Sequence, residues 1–151
     1  MNKEDIIYIA GLFDGEGCIT IRMNRPTTIS KHKSLLFSLV TKVTMCDEST
    51  IMYLYKTFKV GHFREATDKN IGISRSRAWS WTCMSNDAIF VVKTLLPYLR
   101  TKYKESIVAL EFGSLPHGRG GRKRTDNSLT IKRRELYEKL RSLKTSSKFR
   151  V

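Results

Sequence analysis

Apolar and polar positions along the chain switch repeatedly between helical and strand spacing, and the switches mark its elements. Ile6, Ile9, Ala10 and Phe13 recur at helical spacing. Asn2 is a fitting N-cap for that helix, and Glu4 and Asp5 fall in the first turn, where acids suit the dipole. From Cys18 to Asn24 the period is two, with Ile19, Ile21 and Met23 on one face and Thr20, Arg22 and Asn24 on the other. Arg25 to Ser34 reads as a loop. A second strand is expected over 35–45, with Phe37, Leu39, Thr41 and Val43 inward and Ser38, Lys42 and Thr44 outward; Leu36 and Val40 sit less tidily on the outer face. Asp47 caps a helix over 48–58 that carries Ile51, Leu54, Tyr55 and Phe58 and ends at Val60-Gly61. A second hairpin follows, 62–66 and 72–84, with Asp68-Lys69-Asn70 and Gly72 near its turn and Trp79 and Trp81 sharing a core face. Ser85 or Asn86 caps the next helix, which buries Ile89, Val92, Leu95 and Leu96 before Pro97 interrupts it. A helix over 98–112 turns Ile107, Val108, Leu110 and Phe112 inward. The last helix, 130–143, carries Leu136, Leu140 and Leu143, and residues 144–151 are read as a frayed tail. The order is α-β-β-α-β-β-α-α-loop-α, an α+β fold, and 151 residues are the length of one domain spanning 1–151.

The first helix breaks two rules. Gly11 and Gly15 each cost a helix roughly 1 kcal/mol relative to Ala, and they lie four apart on one face. Such a stripe lets another backbone come very close, as in paired membrane helices, although this segment is too short and acidic to span a bilayer. Asp14 and Glu16 stand at the C-terminal end, where the helix dipole disfavours acids. If the small-residue face meets its own copy, acids of two chains converge and need cations or capping donors. Hard divalent ions bind through one or two carboxylates, waters and phosphate oxygens, which suggests a metal site facing a nucleic-acid backbone. A helix merely ended by a Gly-rich turn is the alternative.

Charge narrows the partner. Lys and Arg number 28 against 14 acids, a net +14 with a pI near 10.0. That excess points to a polyanion, nucleic acid first. A membrane surface is second, but no long apolar run or basic amphipathic start supports it, and the acidic, helical N-terminus does not read as a signal peptide. Cys18, Cys46 and Cys83 are odd in number and far apart, which fits an intracellular, reducing setting better than a zinc site or disulfides. The acid-free polar face of the first strand suits bases and phosphates. Leu36 and Val40 could meet thymine methyls from the outer face of the second. Pro116 to Arg124, rich in Gly, Arg and Lys and followed by a helix, is read as a phosphate clamp.

The stretch Ile9-Ala10-Gly11-Leu12-Phe13-Asp14-Gly15-Glu16-Gly17 resembles the signature of the LAGLIDADG homing endonucleases, matching at Ala10, Gly11, Leu12, Asp14 and Gly17. Leu95 to Lys104 is similar to that family's segment around a Pro-Tyr-Leu and a lysine, and Leu129 to Leu143 to its C-terminal helix. The resemblance covers essentially the whole chain. It implies the family's αββαββα core with extra C-terminal helices, its antiparallel sheet forming a saddle in the DNA major groove. One signature without an internal repeat implies a homodimer through Ala10, Gly11 and Asp14, acting on a pseudo-palindromic site in double-stranded DNA.

It implies further that Glu16, with the Gly15 carbonyl, binds Mg²⁺, with Mn²⁺ or Ca²⁺ able to substitute for binding. Lys102 would polarise the attacking water or stabilise transition-state charge. Thr20, Arg22, Asn24, Ser38, Lys42, Arg64, Arg75 and Arg77 are the expected strand contacts to DNA. Arg25 is expected to contact DNA as well, and Lys31, Lys33, Lys104, Arg119, Arg122, Lys123 and Arg124 are expected on phosphates, which position without specifying. Met45, and Cys46-Asp47-Glu48-Ser49 after it, depart from the Gln and Arg that some relatives place near the active-site water. The alternatives are an RNA-binding intron maturase or a cleavage-dead regulator on the same scaffold, and a basic structural protein such as a ribosomal one.

Overall fold

The computed structural model describes residues 1–25, 35–66, 77–116 and 127–147, with side chains to Thr145. Its elements run α1 Lys3–Glu16, β1 Gly17–Asn24, β2 Leu36–Met45, α2 Glu48–Phe58, β3 His62–Glu65, β4 Trp79–Met84, α3 Asn86–Leu95, a 3-10 turn Leu96–Tyr98, α4 Tyr103–Ser114 and α5 Asn127–Ser147. The expected element order and the α+β class hold.

The four strands form one antiparallel sheet in the order β1-β2-β4-β3. Ile19 lies opposite Thr41 and Val43 opposite Trp81, so the odd positions of three strands share a face. On it Ile19, Ile21, Leu39, Val43, Trp81 and Cys83 join Ile9, Ala10 and Phe13 of α1, Ile51 and Leu54 of α2, Val91 and Val92 of α3, Val108 and Phe112 of α4, and Leu136 and Leu140 of α5 in one core. Every helix contributes because each presents one apolar stripe to the sheet or to a neighbouring helix. Helix α5 packs against α4 and along β1, so the edge strand is shielded by a helix. Among the described residues no helix is long and apolar enough to cross a membrane.

Local chemistry explains most boundaries. The Asn2 side chain accepts from the Asp5 amide at 2.7 Å, and Asp47 accepts from the Thr50 amide at 2.8 Å, as N-caps do. The corner from α1 into β1 needs Gly17, since a Cβ there would stand 2.5 Å from the Phe13 carbonyl. Helix α2 ends on Lys59 in the left-handed region (φ 55°) rather than at Val60-Gly61.

Several expectations are corrected. Ser85 precedes α3 at φ 51° without a side-chain cap, and its amide donates to the Leu39 carbonyl at 2.8 Å. The helix expected over 98–112 is a 3-10 turn and then a helix from Tyr103; Pro97 forbids a continuous run. That phase buries Ser106, Val108, Ala109 and Phe112 and leaves Ile107 42% exposed. Leu96 is only half-buried, and Ala88 and Val91 take its place in the core. Helix α5 runs from Asn127 to Ser147, so Lys144 lies in a helix and not in a frayed tail. The strand assigned to 72–84 is seen from Trp79; residues 67–76, with the expected turn, lie outside the described residues.

Candidate functional site

Helix α1 organises the site. Its inner face is Ile9, Ala10 and Phe13; outward it shows Ile7, Tyr8, Gly11, Gly15 and Glu16. Ala10 is 0% exposed within its own chain, so it cannot lie on a surface that meets a second copy, which corrects the sequence reading. The outward notch is instead made by Gly11 and Gly15, below Ile7 (47% exposed) and Tyr8 (55%). A Cβ on either glycine would meet nothing within 4 Å. Nothing within the described residues therefore requires glycine at these two positions. Gly17 and Gly113 differ, because an added Cβ would strike Phe13 and Ile89 respectively.

Asp14 is not at that notch either. Its carboxylate accepts from the Arg100 amide at 2.7 Å and the Lys102 amide at 3.0 Å. The carboxyl thus sits on the first turn leading into α4, where the dipole welcomes an acid. Partial burial alone would raise its pKa, but these amides and the Thr101 hydroxyl outweigh it and hold the group below the usual carboxylate range. The acid at the wrong end of α1 is tolerated because two amides of the turn before α4 donate to it.

The Asp14 carbonyl accepts from Lys102 Nζ at 3.0 Å and from the Thr101 hydroxyl at 3.1 Å. Lys102 therefore rests its ammonium on the C-terminal end of α1, two residues from exposed Glu16. Among the described residues no group of three or more His, Cys, Asp or Glu comes together. One chain offers the open Glu16 carboxylate and backbone carbonyls, a donor set that fits a hard cation completed by water and phosphate oxygens.

The sheet face opposite the core begins beside Glu16. Register places Cys18, Lys42, Thr82 and His62 in one row, Thr20, Val40 and Met84 in the next, and Arg22 beside Ser38. Thr20, Arg22, Asn24, Lys42 and Arg64 do lie on this face, and Arg25 is exposed just past the end of β1. Lys104 is exposed on the first turn of α4. Two expectations fail. The Ser38 hydroxyl is buried with no partner among the described residues, a short side chain paired across the sheet with long Arg22. Val40 is 2% exposed, shut between its neighbours on a central strand, so it has no surface for a methyl group. Arg77, ahead of β4, is exposed and faces Glu65 at 3.6 Å, a surface ion pair too weak to hold it away from DNA. Lys31, Lys33, Arg75, Arg119, Arg122, Lys123 and Arg124 lie outside the described residues.

Residues not singled out from sequence also reach this face: exposed Cys18, His62 and Met84, and Lys144 from α5. Strict alternation from Thr20 and Arg64 would have found Cys18 and His62. No sequence signal would have found Lys144.

Solved structures with the same fold include the homing endonuclease I-CvuI, in complex with the I-CreI target (TM-score 0.74, 17% identity, covering 94% of this chain and 85% of that one). Another is the homing endonuclease I-TnaI (TM-score 0.60, 16% identity, 93% and 96% covered). A third is the archaeal intron-encoded homing endonuclease I-Vdi141I, complexed with DNA (TM-score 0.58, 12% identity, 91% and 97% covered). At these identities they establish the fold. No curated protein matches the sequence. The family model described as LAGLIDADG endonuclease matches residues 9–110, a span that holds α1 from Ile9 onwards, the whole sheet, Glu16 and Lys102, and the chain belongs to that family.

Proposed function

We propose that the protein is a homodimeric, divalent-metal-dependent endonuclease that cuts both strands of a long pseudo-palindromic DNA site. The observation that carries this reading is the outward face of α1. It keeps two glycines for which the described residues have no steric use, and it ends on an exposed carboxylate two residues beyond the carbonyl that holds the Lys102 ammonium. Two such helices packed notch to notch would bring two Glu16 side chains together on the two-fold axis.

Mg²⁺ held there by Glu16 and the Gly15 carbonyl would supply water activation and charge stabilisation at the leaving 3′ oxygen. Lys102, fixed by its amide and its ammonium to Asp14, would place positive charge beside the scissile phosphate without a search through rotamers. Arg22, Asn24, Lys42 and Arg64 on the sheet would read base edges in the major groove, with Arg25 and Lys104 on phosphates. The free thiols at Cys18 and Cys46, both exposed, suit a reducing intracellular setting.

The test is paired binding and nicking on one cognate duplex, wild type beside Glu16→Gln. The substitution keeps size but removes the charge that would hold the metal. Binding without metal should hold or rise, while Mg²⁺-dependent cleavage should fall by several orders of magnitude; Lys102→Met should slow cleavage less. Undiminished cleavage by Glu16→Gln refutes the site. Tight binding without cleavage by the wild type favours a maturase or a regulator on the same scaffold.

A further inference from the structure

Lys144 comes from α5, the helix that lies along β1, yet its ammonium reaches the outer face of the sheet. Nζ stands 3.2 Å from Cys18 Sγ and 3.3 Å from Thr20 Oγ1. Between α5 and β1 is a cleft of about 370 Å³ lined by Thr20, Arg22, Asn24, Tyr137, Arg141 and Lys144. Among the described residues no carboxylate lines it. The cleft runs along β1 from Thr20 to Asn24, and Thr20 stands four residues beyond Glu16.

A lysine ammonium has three donors and no acceptor, whereas a threonine hydroxyl has one donor and two acceptor lone pairs. With Lys144 donating to Oγ1, one of the two lone pairs is taken and the Thr20 hydroxyl hydrogen is kept from pointing at the ammonium, which leaves it free to turn towards the groove. The same holds for the Cys18 thiol. A fixed positive charge behind them also opposes any amino group approaching from the front. We propose that Lys144 sets the hydrogen-bond polarity of Thr20 and Cys18, biasing this part of β1 towards donation into the groove. It would select a keto base, guanine or thymine, at the facing pair and reject the amino groups of cytosine and adenine. Guanine O6 and thymine O4 accept in the major groove, whereas cytosine N4 and adenine N6 donate. Lys144 is thus a positioning residue for base readout, delivered by a helix outside the sheet.

This inference rests on the DNA-reading function proposed above, and one experiment separates the two. The full-length wild type, Lys144→Met, Lys144→Arg, Thr20→Val and the Lys144→Met/Thr20→Val double variant are each used, in Ca²⁺, to enrich sequences from a pool of randomised duplexes. Thermal melting confirms that each is folded; Thr20→Val keeps the shape of β1 and serves if Lys144→Met does not fold. In the wild type a keto preference of roughly tenfold is expected at one or two pairs per half-site, the size of a single good base contact. Lys144→Met and Thr20→Val should both flatten it at those same pairs and leave the other positions sharp. The double variant should be no flatter than Thr20→Val, and Lys144→Arg should restore part of the preference. Equal loss on every sequence makes Lys144 a phosphate contact and overturns the inference, as does an unchanged profile. If the wild type enriches no sequence at all, the DNA-reading function itself fails.

Discussion

Replacing Gly11 and Gly15 together by Ala has opposite signs in the two possible worlds of α1. In a lone chain each new methyl enters open space, since a Cβ at either position would meet nothing within 4 Å. Each replacement then restores helix propensity worth roughly 0.5–1 kcal/mol. The pair should stabilise a monomer by about 1–2 kcal/mol, and for a chain of this length about 1 kcal/mol moves Tm by roughly 2–4 °C. In a notch-to-notch dimer the same methyls enter a backbone contact. Overpacking costs about 1–3 kcal/mol per site, and the two-fold presents both sites twice, so the dimer should weaken by roughly 4–12 kcal/mol. That is about three orders of magnitude or more in its Kd, enough to expose Ile7 and Tyr8 as free apolar surface. The assay is sedimentation equilibrium from nanomolar to micromolar concentration beside thermal melting at one low concentration. The expected result is a wild-type dimer and a monomeric double variant whose isolated chain melts higher. A double variant that stays dimeric, or a wild type that is monomeric at micromolar concentration, refutes the argument; Gly11→Leu should act in the same direction and harder.

Two further outcomes follow from charge. Ala at Arg122, Lys123 and Arg124 together should weaken DNA binding on all sequences alike and make the plot of log K against log[salt] shallower by about 0.9 per lost phosphate contact, read from titrations at several salt concentrations. Asp14, whose carboxyl is held low by the amides of Arg100 and Lys102 after partial burial has pushed the other way, contributes stability that is fully present above its unfolded-state pKa. That contribution is lost as pH falls through the lowered folded value, so Asp14→Asn should reduce the difference in urea midpoint between pH 7 and pH 3, and an unchanged difference would remove Asp14 from the account.

What is legible in the chain follows from period and punctuation. Alternation from Ile19 to Met23 places β1 on its correct face because an edge strand with one buried side obeys period two. Asn2 and Asp47 mark helix starts because a cap is a local hydrogen bond between residues three apart. The acids of α1 are less legible. Asp14 and Glu16 look alike in sequence, and only the return of residues 100–102 to the end of α1 separates a capping carboxylate from an open one. Ala10 misleads for a similar reason: a small residue on a helix serves equally for an interface and for a crowded core. Lys144 is out of reach because its partners on β1 are more than a hundred residues away and no period predicts where α5 lies along that strand.

The ties around Asp14 also bear on how the site is held together. Its carboxylate takes two amides from residues 100–102, and its carbonyl takes the Lys102 ammonium and the Thr101 hydroxyl. The turn that carries Lys102 is thereby tied to the same helix end that carries Glu16. Glycine at 17 then turns the chain into β1 within one residue, because no side chain fits there. Three parts with different tasks, an open carboxylate, an ammonium and the first strand of the sheet, thus leave one rigid corner rather than separate loops. In a pair of α1 helices related by a two-fold, docking the notches would fix each Glu16, each Lys102 and each sheet in one operation. In the proposed endonuclease, the geometry for two cuts at a set spacing would then depend on the closeness of two helix backbones, a closeness that glycine at positions 11 and 15 would permit.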